Sequence, residues 1–232
     1  MDGITTILFD IDGTILDTRE FILAATEHAL AAFGYAIPER SVIQKSVGKP
    51  FPEFYFSLTG THEHTDALME AHRAFQAAHY HLSVIFPNAL ETVTMLKERG
   101  YAMAAVTTRS RRTSLQTLKN AGIFDFFDVV ISGEDAKELK PHPAPLFAAL
   151  KNLQAVPEAA VMVGDSHFDI EAGKNAGTKT IRATYGFHAD NLFEPEPDFF
   201  IDDIKDLLEL LVENKTEQDG ILTKKDTYDR KI

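Results

Sequence analysis

The chain has 232 residues, of which 44% are hydrophobic, and its formal net charge is −12. This length can bury a sizeable core, and one domain with a smaller insertion is expected. The negative charge argues against nucleic acid or an anionic membrane as a partner, and the lack of Cys excludes disulfides, thiolate catalysis and Cys–zinc sites. With neither a membrane-length apolar run nor the basic start of a signal peptide, the chain is expected to be cytoplasmic.

The first predicted strand leads directly into a group of acidic residues. The apolar run Ile4–Phe9 is typical of a buried parallel strand, and Asp10, Asp12 and, a turn later, Asp17 follow it, with the hydroxyl of Thr14 in the same loop. Ligands of open α/β sheets bind beyond the carboxyl ends of the strands. Two carboxylates about 4 Å apart repel by roughly 4 kcal/mol at an effective dielectric near 20. This pair therefore calls for a cation, a shared proton or solvent.

Residues 18 to about 83 are predicted to form an all-helical domain. Apolar residues recur at helical spacing over Arg19–Phe33, Phe51–Leu58 and Thr61–His81, and no convincing strand pattern interrupts them. Glycines and prolines separate these segments, as expected of short helices joined by turns.

Strands and helices alternate after residue 84, which predicts a parallel sheet covered on both faces and joined by right-handed crossovers. The core domain is expected to comprise residues 1–17 and 84–212, with residues 213–232 as a polar C-terminal extension. The predicted strands are Ala102–Val106, Val129–Ser132, Ala160–Val163, Thr180–Ala183 and Phe199–Ile201. The predicted helices are Ala89–Arg99, Arg111–Asn120, Pro145–Leu153, His167–Gly177 and Ile204–Val212.

Chemically suggestive side chains follow further strands of this sheet. Each has an ordinary explanation by itself, since hydroxyl residues cap helices and a Ser followed three residues later by an acid forms a capping box. Together they are expected to face one cleft, because they follow carboxyl ends of one sheet. They are Thr107, Thr108, Lys140, Asp165, Ser166 and Asp169.

This combination is what phosphoryl transfer to an aspartate requires. One carboxylate acts as nucleophile, a second titrating group handles the proton of the leaving group, and a cation screens the charge. Oxygen-only ligands favour a hard cation such as Mg²⁺. Lys and hydroxyl donors hold the phosphoryl oxygens.

Four motifs in order resemble the haloacid dehalogenase (HAD) superfamily of phosphohydrolases. They are Asp10-x-Asp12-Gly13-Thr14, the strand-end Thr107, Lys140-Pro141 and Gly164-Asp165-x-x-x-Asp169. The helical insertion is similar to the cap of the phosphoglycolate phosphatase and β-phosphoglucomutase branch. The resemblance covers about residues 4–212 and implies a Rossmann-like α/β core with an inserted all-helical cap.

The resemblance also implies roles for these residues. Asp10 would be the nucleophile and a Mg²⁺ ligand, Asp12 the general acid and base with a ligating carbonyl, and Asp165 a further metal ligand. Thr107 and the Thr108 amide would bind the phosphoryl group, with Thr108 standing where many relatives have Asn. Thr14 is a further candidate for binding the phosphate of the substrate. Lys140 would pair with Asp10, while Ser166 and Asp169 would orient the metal ligands and their waters.

The substrate is expected to be a small phosphorylated metabolite. Phosphoglycolate is the first expectation, inorganic pyrophosphate the second and a sugar phosphate handled by a mutase the third. Lys49 and Arg73 of the cap are candidates for binding the substrate anion. The histidines of the cap are interpreted as solvated helix positions, with a zinc site or a polar rim around the substrate as the alternatives; they are His62, His64, His72, His79 and His81.

Two readings of other classes stay open. A phospho-aspartate switch similar to a response-regulator receiver also uses Asp, Thr, Lys and Mg²⁺, but it predicts a long-lived phospho-aspartate and no inserted cap. A binding module without catalysis is the other alternative, which the complete set of candidate acid, base and Lys opposes. A monomer or weak homodimer is expected.

Overall fold

A six-stranded parallel sheet forms the core of the protein. The computed structural model describes residues 1, 3–188 and 194–211. The strands within the described residues are β1 Thr6–Phe9, β2 Leu16–Asp17, β3 Val84–Ile85, β4 Ala102–Val106, β5 Val129–Ile131, β6 Ala160–Gly164, β7 Lys179–Ala183 and β8 Phe199–Ile201. The sheet has the strand order β5-β4-β1-β6-β7-β8, and β2 and β3 form a separate antiparallel ribbon.

Helices cover the sheet and build the insertion. Short 3₁₀ turns such as Tyr80–Leu82 and Ile204–Asp206 supplement them. The α-helices of the described chain are α1 Arg19–Ala32, α2 Arg40–Ser46, α3 Phe51–Thr59, α4 Thr65–Ala78, α5 Ala89–Glu98, α6 Arg111–Asn120, α7 Ala144–Leu153, α8 His167–Ala176 and α9 Leu207–Leu210.

Strand β1 lies in the middle of the sheet and is buried along its whole length. Because successive side chains of a strand point to opposite faces, Ile7 and Phe9 belong to one hydrophobic cluster and Leu8 to the cluster on the other face. Burial on both faces explains why this strand reads as a continuous apolar run. The predicted parallel sheet is confirmed.

The helical insertion has a hydrophobic core of its own, which includes Leu30, Ile43, Tyr55 and Leu68. The chain enters and leaves this cap through the β2–β3 ribbon, where Leu16 pairs with Ile85 and Asp17 with Val84. The inserted helical cap is thus confirmed. No helix in the described part of the chain combines the length and the apolar character needed to cross a membrane.

Several boundaries differ from those predicted. Helix α4 begins at Thr65 instead of Thr61, and the last predicted helix is a 3₁₀ turn followed by one helical turn that ends at Leu210. The ribbon β2–β3 was not predicted, since strands of two residues are too short to show an alternating pattern. Val212 and the predicted extension 213–232 lie outside the described residues.

Candidate active site

Three of the candidate residues lie at the carboxyl ends of three neighbouring strands, on one edge of the sheet. Strands β4, β1 and β6 are adjacent and parallel, and Phe9 of β1 is in register with Ala105 of β4 and Val163 of β6. Asp10, Thr107 and Asp165 follow directly after these three strands. Residues far apart in the sequence therefore meet because parallel strands end at the same edge.

Lys140 lies at the centre of this group. Its ammonium Nζ donates to Asp10 Oδ1 at 2.6 Å, to Asp169 Oδ1 at 2.6 Å and to the carbonyl oxygen of Val106 at 2.8 Å. The side chain is only 3% exposed. All three donors of the ammonium are thus used, and one buried cation serves two carboxylates.

Asp169 has both a structural and an electrostatic role. Its Oδ2 accepts hydrogen bonds from the backbone N–H and the hydroxyl of Ser166 at 3.1 and 2.6 Å, which closes the capping box at the start of α8. Its Oδ1 is bound by Lys140. The capping box therefore fixes Asp169 in the orientation in which it binds Lys140.

Asp165 is enclosed by backbone and is 2% exposed. Its Oδ2 accepts a hydrogen bond from the Phe187 amide at 2.5 Å. A Cβ placed on Gly13, which has a φ of +79°, would lie 2.4 Å from the same oxygen, and one on Gly186 would lie 2.3 Å from it. Both positions therefore require glycine for the loops to close around this carboxylate.

The carboxylates carry more negative charge than the single ammonium balances. The pKa of Asp10 is raised to about 7: burial is the main cause, the Lys140 charge opposes it, and the Asp169 and Asp12 charges add to it. The pKa of Asp165 lies well above its usual range because of burial and the Asp169 and Asp10 charges. Burial tends to lower the pKa of Lys140, but Asp10 and Asp169 outweigh it, so the pKa is raised and the ammonium stays charged.

A hard cation fits this donor set. Asp10, Asp165 and Asp169 are buried, and one carboxylate oxygen from each lies within 4.8 Å of the others. Both Asp169 oxygens already accept hydrogen bonds from Lys140 and Ser166, which leaves Asp10 and Asp165 as the better candidates for ligands. Oxygen donors around a buried excess of negative charge suit Mg²⁺.

Asp12 is held by two partners at the edge of the site. Its Oδ1 accepts a hydrogen bond from the Thr18 hydroxyl at 2.5 Å, and its Oδ2 forms an ion pair with Arg109 Nε at 2.8 Å. We did not predict Arg109 as a site residue. The available signal was its position, since it directly follows the strand-end pair Thr107-Thr108.

The three threonines occupy different surroundings. Thr107 is buried at the end of β4, and its hydroxyl accepts a hydrogen bond from the Arg109 amide at 3.2 Å. Thr108 lines the cavity beside the carboxylates. The structure does not bring Thr14 to that cavity: its side chain is buried, and its carbonyl accepts a hydrogen bond from the Tyr185 hydroxyl at 2.8 Å.

The cavity lies between the cap and the sheet and has a volume of about 290 Å³. Asp10 and Asp165 line it from the core, and Lys49 and Arg73 from the cap. The cap segment 47–49 is packed on the core: Phe168 lies against Gly48, and His188 Nε2 lies 3.2 Å from the Val47 carbonyl oxygen. Cationic residues of the cap and acidic residues of the core thus line the same cavity from opposite sides.

The prediction that the cap histidines are solvated is wrong for His72. This residue is 2% exposed, lines the cavity and lies with Nδ1 2.8 Å from the Tyr55 hydroxyl. Burial, together with the charges of Arg109 and Arg73, lowers its pKa to about 3. His62, by contrast, is exposed and stacks on Phe56.

Residues 7–183 match the family described as haloacid dehalogenase-like hydrolases, and the chain belongs to this family. The predicted family is therefore confirmed. The pyrophosphatase PpaX of Bacillus thuringiensis (strain Al Hakam) is 36% identical over 210 residues, which cover 90% of this chain and 96% of that protein.

Solved structures show the same architecture. A haloacid dehalogenase-like hydrolase from Bacteroides fragilis superimposes with a TM-score of 0.83 at 29% identity, over 88% of this chain and 100% of that one. A predicted phosphoglycolate phosphatase from Haemophilus somnus reaches a TM-score of 0.85 at 24% identity, over 90% of this chain and 99% of that one, and supports the fold alone.

Proposed function

We propose that the protein is a Mg²⁺-dependent phosphatase that hydrolyses a small phosphorylated metabolite through an aspartyl phosphate on Asp10. The observation that carries this proposal is the contact of the buried Lys140 ammonium with Asp10 and Asp169, at 2.6 Å each, on the acidic wall of a cavity that the cap also lines. Such an arrangement orients one carboxylate and concentrates charge where a phosphoryl group would bind.

The first half of the reaction forms the phospho-enzyme. A carboxylate oxygen of Asp10 attacks the phosphorus, and the bond from phosphorus to the leaving oxygen breaks. Asp12 gives its proton to that oxygen, and the donors at the end of β4 bind the phosphoryl oxygens. Lys140 holds Asp10 in place and balances its charge.

The second half regenerates the enzyme. Asp12, now a carboxylate, takes a proton from water as the water oxygen attacks the phosphorus, and the bond from phosphorus to Asp10 breaks to release inorganic phosphate. Asp10, Asp165 and the Asp12 carbonyl are the residues that would hold Mg²⁺. When bound, the ion supplies positive charge that screens the phosphoryl oxygens.

Inorganic pyrophosphate is the substrate we place first, ahead of phosphoglycolate, which reverses the order expected from the sequence. A relative that is 36% identical to this chain and covers 90% of it is named a pyrophosphatase. The cavity also carries Lys49 and Arg73 on the cap side, where they are suited to a second negative charge. Both compounds leave an anion behind after losing the phosphoryl group.

Phosphate release from pyrophosphate, phosphoglycolate and a sugar phosphate tests this proposal. We expect Mg²⁺-dependent turnover that is fastest with pyrophosphate, loss of at least about 1000-fold in Asp10→Asn as for removal of a nucleophile, and no turnover in excess chelator. Substantial activity of Asp10→Asn would refute the nucleophile. A phospho-enzyme that persists for minutes would instead favour the phospho-aspartate switch.

A further inference from the structure

Arg109 is a buried guanidinium with unused hydrogen-bonding capacity in the cavity wall. Its side chain is 10% exposed, its Nε is paired with Asp12 Oδ2 at 2.8 Å, and its Nη1 donates to the Thr117 hydroxyl at 3.1 Å. Its Nη2 is buried and has no hydrogen-bond partner among the residues that the structure describes. Because buried N–H groups are nearly always paired, this nitrogen is suited to an acceptor supplied from outside the chain.

The surroundings of Arg109 favour an anion as that acceptor. Its guanidinium carbon lies 5.0 Å from the centre of the Phe21 ring, which supports the flat group from one side. Arg73 lines the same cavity from the cap, and both guanidinium charges act on the buried His72. This part of the cavity is therefore positively charged, in contrast to the carboxylates around Lys140.

The ion pair between Arg109 and Asp12 also affects proton transfer by Asp12. One carboxylate oxygen is bound by Thr18 and the other by Arg109, so both are occupied. A group that must exchange a proton with the leaving oxygen has to give up one of these partners. The ion pair can open at a low cost in free energy only if another anion replaces Asp12 as the partner of Arg109, since an unpaired buried charge is strongly destabilising.

We propose that Arg109 binds the negative charge on the leaving group of the substrate and thereby releases Asp12 from its ion pair. This inference rests on the proposed function and specifies its substrate class: phosphoryl compounds whose leaving group carries an anionic group of its own. A neutral leaving group offers the guanidinium no replacement, so Asp12 stays paired and turnover stays slow. Arg109 then determines specificity and also positions Asp12.

The test compares substrates that differ in one charge. Pyrophosphate and phosphoglycolate have an anionic leaving group, while 2-hydroxyethyl phosphate resembles phosphoglycolate without its carboxylate. The full-length enzyme is assayed with Mg²⁺ as wild type, Arg109→Gln, Arg109→Lys and the control Arg112→Gln. Arg112 is exposed on helix α6, which begins two residues after Arg109, so its replacement tests for a general effect of charge.

We expect Arg109→Gln to lower kcat/KM for the two anionic substrates by about 100-fold, the scale of losing a hydrogen-bonded charge partner. The value for 2-hydroxyethyl phosphate should instead rise, because this substrate does not use the guanidinium and the substitution frees Asp12 from its ion pair. Arg109→Lys should be intermediate, since it keeps the charge without the planar fork, and Arg112→Gln should match wild type.

Equal losses for charged and uncharged substrates, or no loss with either, would overturn the proposal. Calorimetry on variants that cannot turn over separates binding from turnover. Pyrophosphate should bind the double variant Asp10→Asn, Arg109→Gln more weakly than it binds Asp10→Asn alone. If wild-type enzyme releases no phosphate from any of the three compounds, the proposed function itself fails; if it does and the substrate preference survives Arg109→Gln, only this inference fails.

Discussion

Replacing Lys140 by Met tests the central electrostatic arrangement of the protein. Met retains most of the apolar stem and removes the ammonium that binds Asp10, Asp169 and the Val106 carbonyl. The two carboxylates then face each other in a buried site without the cation between them. We therefore expect a loss of stability as well as a loss of activity.

The size of the loss follows from the burial of the group. Removing one partner of a buried ion pair costs about 3–5 kcal/mol. Asp10 and Asp169 both lose their partner here, and the Val106 carbonyl loses a donor, so the free energy of unfolding should fall by at least about 3 kcal/mol. Excess Mg²⁺ should restore part of it, because a bound cation again balances the carboxylates.

Urea unfolding followed by far-UV circular dichroism measures this effect, and it suits a chain without Trp. Wild type and Lys140→Met are compared in chelator and in Mg²⁺. Lys137→Met is the matched control, since Lys137 is an exposed residue of the same loop and its replacement should change stability by less than about 0.5 kcal/mol. A loss below about 1 kcal/mol in chelator for Lys140→Met would refute the reasoning.

Three further predictions concern the same structure. Ser166→Ala, which removes the hydroxyl bound to Asp169 at 2.6 Å, should cost about 1 kcal/mol of unfolding free energy and reduce kcat, whereas an unchanged melting temperature would contradict it. Asp165→Asn should lose the rise in melting temperature that Mg²⁺ gives the wild type, and a retained rise would exclude it as a ligand. The pKa of His72 is about 3 in the folded state and near 6.5 in the unfolded state, so the unfolded state gains a proton that the folded state does not as pH falls. The free energy of unfolding should therefore fall by about 2 kcal/mol between pH 8 and pH 5. His72→Phe should remove this part of the pH dependence of stability.

The sheet and its edge could be predicted because their signals are local and repeated. Buried parallel strands such as β1 and β6 appear as short apolar runs, and any polar residue that follows such a run lies at one edge of the sheet. Asp10, Lys140 and Asp165 therefore meet in the structure as the strand order requires. Their roles in catalysis stay proposals until the variants are measured.

The contacts of Arg109 and His72 could not be predicted in the same way. The ion pair of Arg109 with Asp12 joins two loops whose relative placement depends on how β4 and β1 end, and no spacing along the chain encodes it. The burial of His72 likewise depends on the packing of Phe51 and Tyr55 of α3 against α4. Periodicity placed His72 on the apolar side of a helix, but only the packed structure shows that this side also faces the cavity.

The distribution of charge explains how an acidic protein could bind an anion. At a net charge of −12 the distant field repels a phosphorylated substrate, but at physiological ionic strength this field is screened beyond about 8 Å. Inside the cavity the cations Lys49, Arg73 and Arg109 act at short range. The carboxylates around Lys140 would still repel the phosphoryl group until a cation binds Asp10 and Asp165. Metal and substrate should therefore bind with positive coupling. The affinity of the wild-type enzyme for inorganic phosphate, the product, should rise with Mg²⁺ concentration, and independence of Mg²⁺ would show that the acidic wall does not face the substrate.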